Sequence, residues 1–95
     1  MALINLKDFA GEAHKQIVDG KVEAALPKIL WLLDQDPNNF FYLYLLASYY
    51  SKKENIGAAI MAYEKAILLY PDFSECINNV GGCYRKLGYF DKAIA

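Results

Sequence analysis

Residues 40–73 read FFYLYLLASYYSKKENIGAAIMAYEKAILLYPDF. Leu43, Leu46, Ala47 and Tyr50 recur at the three- and four-residue steps that place side chains on one face of a helix. The polar triplet Lys53-Glu54-Asn55 interrupts that stripe. A second stripe then runs through Ile56, Ala59, Ile60, Tyr63, Ala66, Ile67 and Tyr70 until Pro71 stops it. Asn38 and Asn39 carry side-chain oxygens that suit the start of the first helix, with Pro37 closing what precedes it. Asp72 is placed to cap whatever follows. The segment predicts a helical hairpin, the first helix from about 40 to 53 and the second from about 56 to 69.

The rest of the chain repeats this unit at a spacing of 34 residues. Pro37 pairs with Pro71, and Tyr50 with Tyr84. Ala25, Ala59 and Ala93 form a triple, as do Ala13, Ala47 and Gly81. Val22, Ile56 and Phe90 form an apolar triple, and Leu26, Ile60 and Ile94 another. Small residues at fixed places let helices approach closely, aromatics fill the gaps between units, and Pro and Gly mark the turns. Such units contact only their neighbours and stack in one dimension.

Period and residue types together resemble the tetratricopeptide repeat family over nearly the whole chain. The middle unit carries the family's small and aromatic positions at Ala47, Tyr50, Ala59, Tyr63, Ala66 and Pro71. The usual tryptophan is replaced by Leu43, with Phe9 and Ile77 as its counterparts. The turn glycine is present as Gly20 and Gly88 but is Glu54 in the middle. Unit one is the loosest: Gln16 holds the tyrosine place, and Pro27 falls early in the second helix, where a missing N–H is tolerated only in the first turn. The resemblance implies an all-α fold, a right-handed superhelical stack of antiparallel helix pairs in about two and a half repeats. The units are a lead-in 1–5, unit one 6–39, unit two 40–73 and a truncated unit three 74–95. By register about a dozen residues of the last helix are missing. Residues 89–95 form a stub too short to offset its nucleation cost. The sequence therefore reads as a piece of a longer protein or as one completed by another chain, with self-association through an apolar C-terminal end.

Composition bounds the function. Hydrophobic residues make up 56% of the 95 and charged ones 22%, which argues against disorder. Ten basic and eleven acidic side chains leave a formal charge of -1. That offers no large positive field for nucleic acid. The start has no signal-peptide pattern and no apolar run is long enough to span a membrane, so the expected setting is cytoplasmic, with the nucleus as an alternative. Cys76 and Cys83, seven residues apart on one helix, sit about 10 Å apart along its axis, beyond disulfide reach. They read as packed thiols.

Catalytic chemistry is not expected, nor a cofactor or a metal. His14 stands alone, far in sequence from both cysteines, and reads as a surface histidine. Gly81-Gly82 lies inside a helical pattern and reads as packing, not phosphate binding. Asp34, Asp36, Asp72, Glu75 and Asp91 lie at turns and helix starts, where acids favour the helix dipole.

In the family that the sequence resembles, the first helix of each unit lines a concave face. The stripe left over from internal packing is then the binding stripe. It holds Lys7, Ala10, Gly11, His14, Ile17 and Val18 in unit one. In unit two it holds Phe41, Tyr44, Leu45, Ser48, Ser51 and Lys52. In unit three it holds Glu75, Asn78, Asn79, Gly82, Arg85 and Lys86. Among these, Phe41 and Tyr44 suit apolar anchors, Leu45 and Ser48 lie beside them, Asn78 and Asn79 suit an extended backbone, and Lys52, Arg85 and Lys86 suit acidic residues. Replacing Phe41 and Tyr44 by Ala is accordingly expected to weaken capture while leaving helical content nearly unchanged. The clamp by which co-chaperones of this family grip a terminal carboxylate would fall on Ala10, His14, Leu45, Glu75 and Asn79. Glu75 reverses a required charge, so that specialisation is rejected. The asparagine ladder of repeats that precede O-linked N-acetylglucosamine transferases would fall on Gly11, Leu45 and Asn79, of which one fits. The leading expectation is a scaffold holding a peptide or helix of a protein partner, with no nucleic acid and no membrane. The alternative is the non-catalytic, substrate-recruiting arm of a larger enzyme such as such a glycosyltransferase. A purely structural role is a third reading.

Overall fold

The computed structural model describes residues 5–89. Their order is α1 (Leu6–Val18), α2 (Val22–Gln35), α3 (Phe40–Lys52), α4 (Ile56–Leu69) and α5 (Ser74–Lys86). The first helices of the pairs open at Leu6, Phe40 and Ser74, and the second ones at Val22 and Ile56, each 34 residues from its counterpart. Successive helices pack on one another and α1 also touches α3, giving an elongated body of 51 × 25 × 17 Å. The hairpin expected over 40–69 is present, and α3 stops one residue earlier than the periodicity suggests.

The small residues sit where backbones crowd. Ala13, Ala25, Ala47, Ala59 and Ala66 are fully buried, and Gly81 is buried in α5. Aromatic and branched side chains close the gaps between them, with Tyr63, Ile29, Leu32, Leu45 and Cys76 the largest that lose essentially all contact with solvent. Phe90, Ala93 and Ile94, which continue the 34-residue register in sequence, lie outside the described residues, as do Asp91 and the rest of the stub beyond Tyr89. Between α4 and α5, Ile67, Leu68, Ile77, Val80 and Tyr84 line a groove of about 720 Å³.

Local chemistry sets the helix ends. Asn5 and Asn39 each accept two backbone N–H groups of the first turn, at Lys7 and Asp8 and at Phe41 and Tyr42. Asn55 accepts from the Ala58 amide at 3.4 Å. α5 departs from the sequence expectation. Its N-cap is Phe73, which offers no capping oxygen, and Asp72 stands one residue too early to cap. The Phe73 ring instead packs on Phe40, Tyr44 and Tyr70, at centroid distances of 5.3, 5.0 and 6.1 Å. α2 also departs: it runs through Pro27, its sixth residue and past the first turn, without ending. The lost N–H leaves the Glu23 carbonyl without an amide partner on an exposed surface, where water can serve it.

Each of the turns after α1, α3 and α5 closes in the same way. The residue after the cap adopts a positive φ: Gly20 at 83°, Glu54 at 62° and Gly88 at 84°. The next amide reaches back five residues, as in Asn55 N–H to Tyr50 C=O at 2.9 Å. This is the Schellman closure that favours glycine. Glu54 thus holds a left-handed conformation that costs an L-residue roughly 1–2 kcal/mol. Glu54→Gly is expected to raise stability by about 1 kcal/mol. Urea denaturation followed by circular dichroism checks this, and an unchanged or lowered midpoint would contradict it.

Candidate functional site

α1, α3 and α5 present one shared surface because each is the first helix of its pair. Their facing turns enclose a groove of about 510 Å³. α1 contributes His14, Ile17 and Val18; α3 contributes Tyr44, Ser48, Ser51 and Lys52; α5 contributes Asn78, Asn79, Gly82, Arg85 and Lys86. These positions belong to the stripe read from the sequence. Two further lining residues, Tyr63 and Cys83, do not. Tyr63 reaches in from α4, where its place in a core stripe gave no sign of it. Its hydroxyl lies 3.4 Å from Ser48 Oγ. Cys83 is buried beside Gly82.

Six of the eight singled-out residues line this groove: Tyr44, Ser48, Lys52, Asn78, Asn79 and Arg85. Leu45 does not. It is fully buried and packs the core, because the helix turns it away from the face that carries Tyr44 and Ser48. Phe41 borders a separate cavity of about 610 Å³ with Leu6, Ala10, Gly11 and Phe40. The asparagine-ladder places are therefore broken at Leu45. His14 is half-buried rather than a surface histidine, with its ring 6.0 Å from Phe41 and 6.1 Å from Tyr44. It also lines the same groove as Cys83, which distance along the sequence does not suggest.

Tyr44 forms the bridge between core and groove. It is 7% exposed, with Phe73, Phe41 and Tyr63 around its ring. Its hydroxyl donates to Glu75 Oε2 at 3.3 Å. Burial, and then the Glu75 charge, raises the Tyr44 pKa. Burial likewise raises Tyr63. Both phenols stay neutral donors at physiological pH. Cys83 is also raised, by burial, against the opposing pull of Ser51 and Lys86. A raised thiol is a poor nucleophile. Among the described residues, no three His, Cys, Asp or Glu side chains converge as a metal would require, and no helix is long and apolar enough to cross a membrane. What the groove does offer is hydroxyl, amide and cationic groups over an aromatic floor.

Residues 42–73 match the tetratricopeptide repeat family model. MamA superposes with a TM-score of 0.83 at 23% identity, over 95% of this chain and 53% of its own. SycD, the type III secretion translocator chaperone of Yersinia enterocolitica, superposes at 0.84 and 19% identity, over 93% of this chain and 67% of its own. This chain thus spans about half the length of MamA and two thirds of SycD. A search of curated protein sequences finds no match.

Proposed function

We propose that this chain, whose residues 42–73 match the tetratricopeptide repeat model and whose fold is shared with MamA and SycD, is a protein-interaction scaffold whose groove across α1, α3 and α5 holds a peptide or helix of a partner. The units 6–39, 40–73 and 74–95 are the repeats of that scaffold. The observation that carries the proposal is the groove itself. Its volume falls within the range of ordinary ligand sites. Its lining comes from three separate helices, so a segment laid across them contacts every unit at once. Ser48, Ser51, Asn78 and Asn79 supply donors and acceptors for a peptide backbone, and the aromatic ring of Tyr44 supplies apolar surface. SycD, similar in fold, is a chaperone of secretion translocators, a task of the same kind. Self-association is assigned to the other surface, the groove between α4 and α5.

Gly82 provides a clean test. A Cβ added there meets only Arg85 Nη2, at 3.7 Å, so a larger side chain enters the groove without displacing backbone. Gly82→Tyr also replaces a helix-weakening residue. The wild-type chain is expected to retain a subset of a random peptide array, and Gly82→Tyr to lose those peptides by about tenfold or more in affinity, or about 1.4 kcal/mol. Circular dichroism and melting temperature should not fall. Equal retention by a folded Gly82→Tyr variant would refute the groove as the binding surface. The alternative, a substrate-recruiting arm of a glycosyltransferase, is separated from the scaffold by the sequence beyond Ala95: a catalytic α/β domain there favours the arm.

A further inference from the structure

The charges of this chain are nearly balanced, ten basic against eleven acidic. The groove lining is not. It contains Lys52, Arg85, Lys86 and His14, and no carboxylate. The cations lie in the last turns of α3 and α5, where the negative end of a helix dipole favours them for stability alone. Two details go beyond that. The Arg85 guanidinium lies back over Gly82, 3.7 Å from where a Cβ would be, so it lies along the groove instead of extending away from it. The neighbouring lysines also have different partners. Lys53 pairs with Glu23 at 2.7 Å, whereas Lys52 lines the groove and, among the described residues, has no carboxylate partner. The same holds for Arg85 and Lys86.

A group of the other sign touches the lining residue Tyr44 from outside the groove. Glu75, in the first turn of α5, accepts from the Tyr44 hydroxyl at 3.3 Å. The groove lining therefore carries three cations beside the neutral Ser48, Asn78 and Asn79, and the Glu75 carboxylate bonded to Tyr44 stands outside that lining. We propose that the partner segment is acidic, with its carboxylates set on Lys52, Arg85 and Lys86 and its neutral part on the amides and Tyr44. This rests on the reading of the groove as a peptide site and adds the partner's chemistry. Complementary charge of this kind acts mainly on encounter and selectivity, and it is screened by salt. A bidentate Arg–carboxylate contact adds geometric selection that a lysine cannot give.

The test uses the whole chain and fluorescence anisotropy. The probes are a labelled dodecapeptide of repeating Glu-Glu-Ser-Leu, its Gln-Gln-Ser-Leu counterpart, and a twelve-nucleotide oligothymidine. At low salt the Glu peptide should bind about tenfold or more tighter than the Gln peptide, and the gap should close toward 0.5 M salt. Lys52→Ala/Arg85→Ala/Lys86→Ala should abolish the preference, and Glu75→Gln should strengthen Glu-peptide binding. All four side chains are exposed, so folding is expected to survive. Equal binding of the two peptides, lost in both cases on Gly82→Tyr, overturns the acidic preference and leaves the groove reading intact. Failure of both peptides to bind overturns both. Tighter binding of the oligothymidine, lost in the triple variant, assigns the cations to nucleic acid and overturns the peptide proposal.

Discussion

Tyr44→Ala is expected to lower the free energy of unfolding by about 3–5 kcal/mol, the range for removing a buried aromatic ring. The ring packs on Phe73 at 5.0 Å, on Phe41 at 5.9 Å and on Tyr63 at 6.2 Å, and those three leave no room for collapse without mutual movement. Phe73 is affected most. It holds the α5 N-cap position without a capping oxygen, so aromatic contacts with Tyr44, Phe40 and Tyr70 are what fix the entry to that helix. Removing Tyr44 loosens the start of α5 and, with it, the placing of Asn78 and Asn79. Domains of this length hold only about 0.05–0.15 kcal/mol per residue of net stability, so the loss is a large share of the total.

Tyr44→Phe is the matching control. It keeps the ring and gives up a single long hydrogen bond to Glu75, at a cost of about 0.5–1.5 kcal/mol. Urea denaturation followed at 222 nm measures both. A Tyr44→Ala loss below 1 kcal/mol would show that the ring is not part of the core. The sequence reading treats Phe41 and Tyr44 as groove anchors whose removal leaves helical content nearly unchanged. Burial reverses that for Tyr44, and a binding defect in Tyr44→Ala cannot be assigned to lost contact with a partner. Gly82→Tyr and the exposed cations are the variants that can be.

The repeat was legible because its signal is redundant. A 34-residue spacing, alternation of small and aromatic residues and polar turns all placed the helix starts at Leu6, Phe40 and Ser74. The groove lining was legible wherever a residue's helical phase was unambiguous, as at Ser48, Lys52, Asn78, Asn79 and Arg85. It failed at Leu45, which sits next to Tyr44 in a helix apolar on almost every side. There the three-to-four-residue periodicity has little contrast and cannot tell core from groove. Tyr63 was missed for a different reason. Its ring belongs to the core stripe of α4, while its hydroxyl alone reaches Ser48, and hydropathy patterns treat a tyrosine as one object. Pro27 and Asp72 were misread because each rule concerns one turn, and packing of the whole helix outweighed it. Glu54 shows the converse. The turn glycine was missing from the sequence, yet the backbone kept its left-handed shape, because the closing hydrogen bonds and the hairpin it joins over-determine it.

Stability should be flat from neutral pH to about 9 and then fall steeply, chiefly because of Cys76. Burial, and then the nearby Glu75 charge, pushes that thiol from its ordinary 9.0 to about 12. A folded value above the unfolded one means the native state holds its proton longer. The resulting stabilisation is complete below about 9 and is lost as pH rises through the window to about 12. Across that window the loss from Cys76 is on the order of 4 kcal/mol. Cys83, Tyr44 and Tyr63 are raised by burial, and Tyr84 chiefly by its 2.6 Å hydrogen bond to Glu64, so they add in the same direction. The Lys53–Glu23 pair also weakens as Lys53 loses its proton, but both groups are exposed and contribute little. Unfolding free energies measured at intervals from pH 7 to 11 give the slope, about 1.4 kcal/mol per pH unit for each proton held by the native state alone. Cys76→Ala lowers the baseline by leaving a small void, but its slope between pH 9 and 10 should be shallower by close to one proton's worth. An alkaline limb identical in the two proteins would mean that the Cys76 thiol ionises in the folded chain as readily as in the unfolded one.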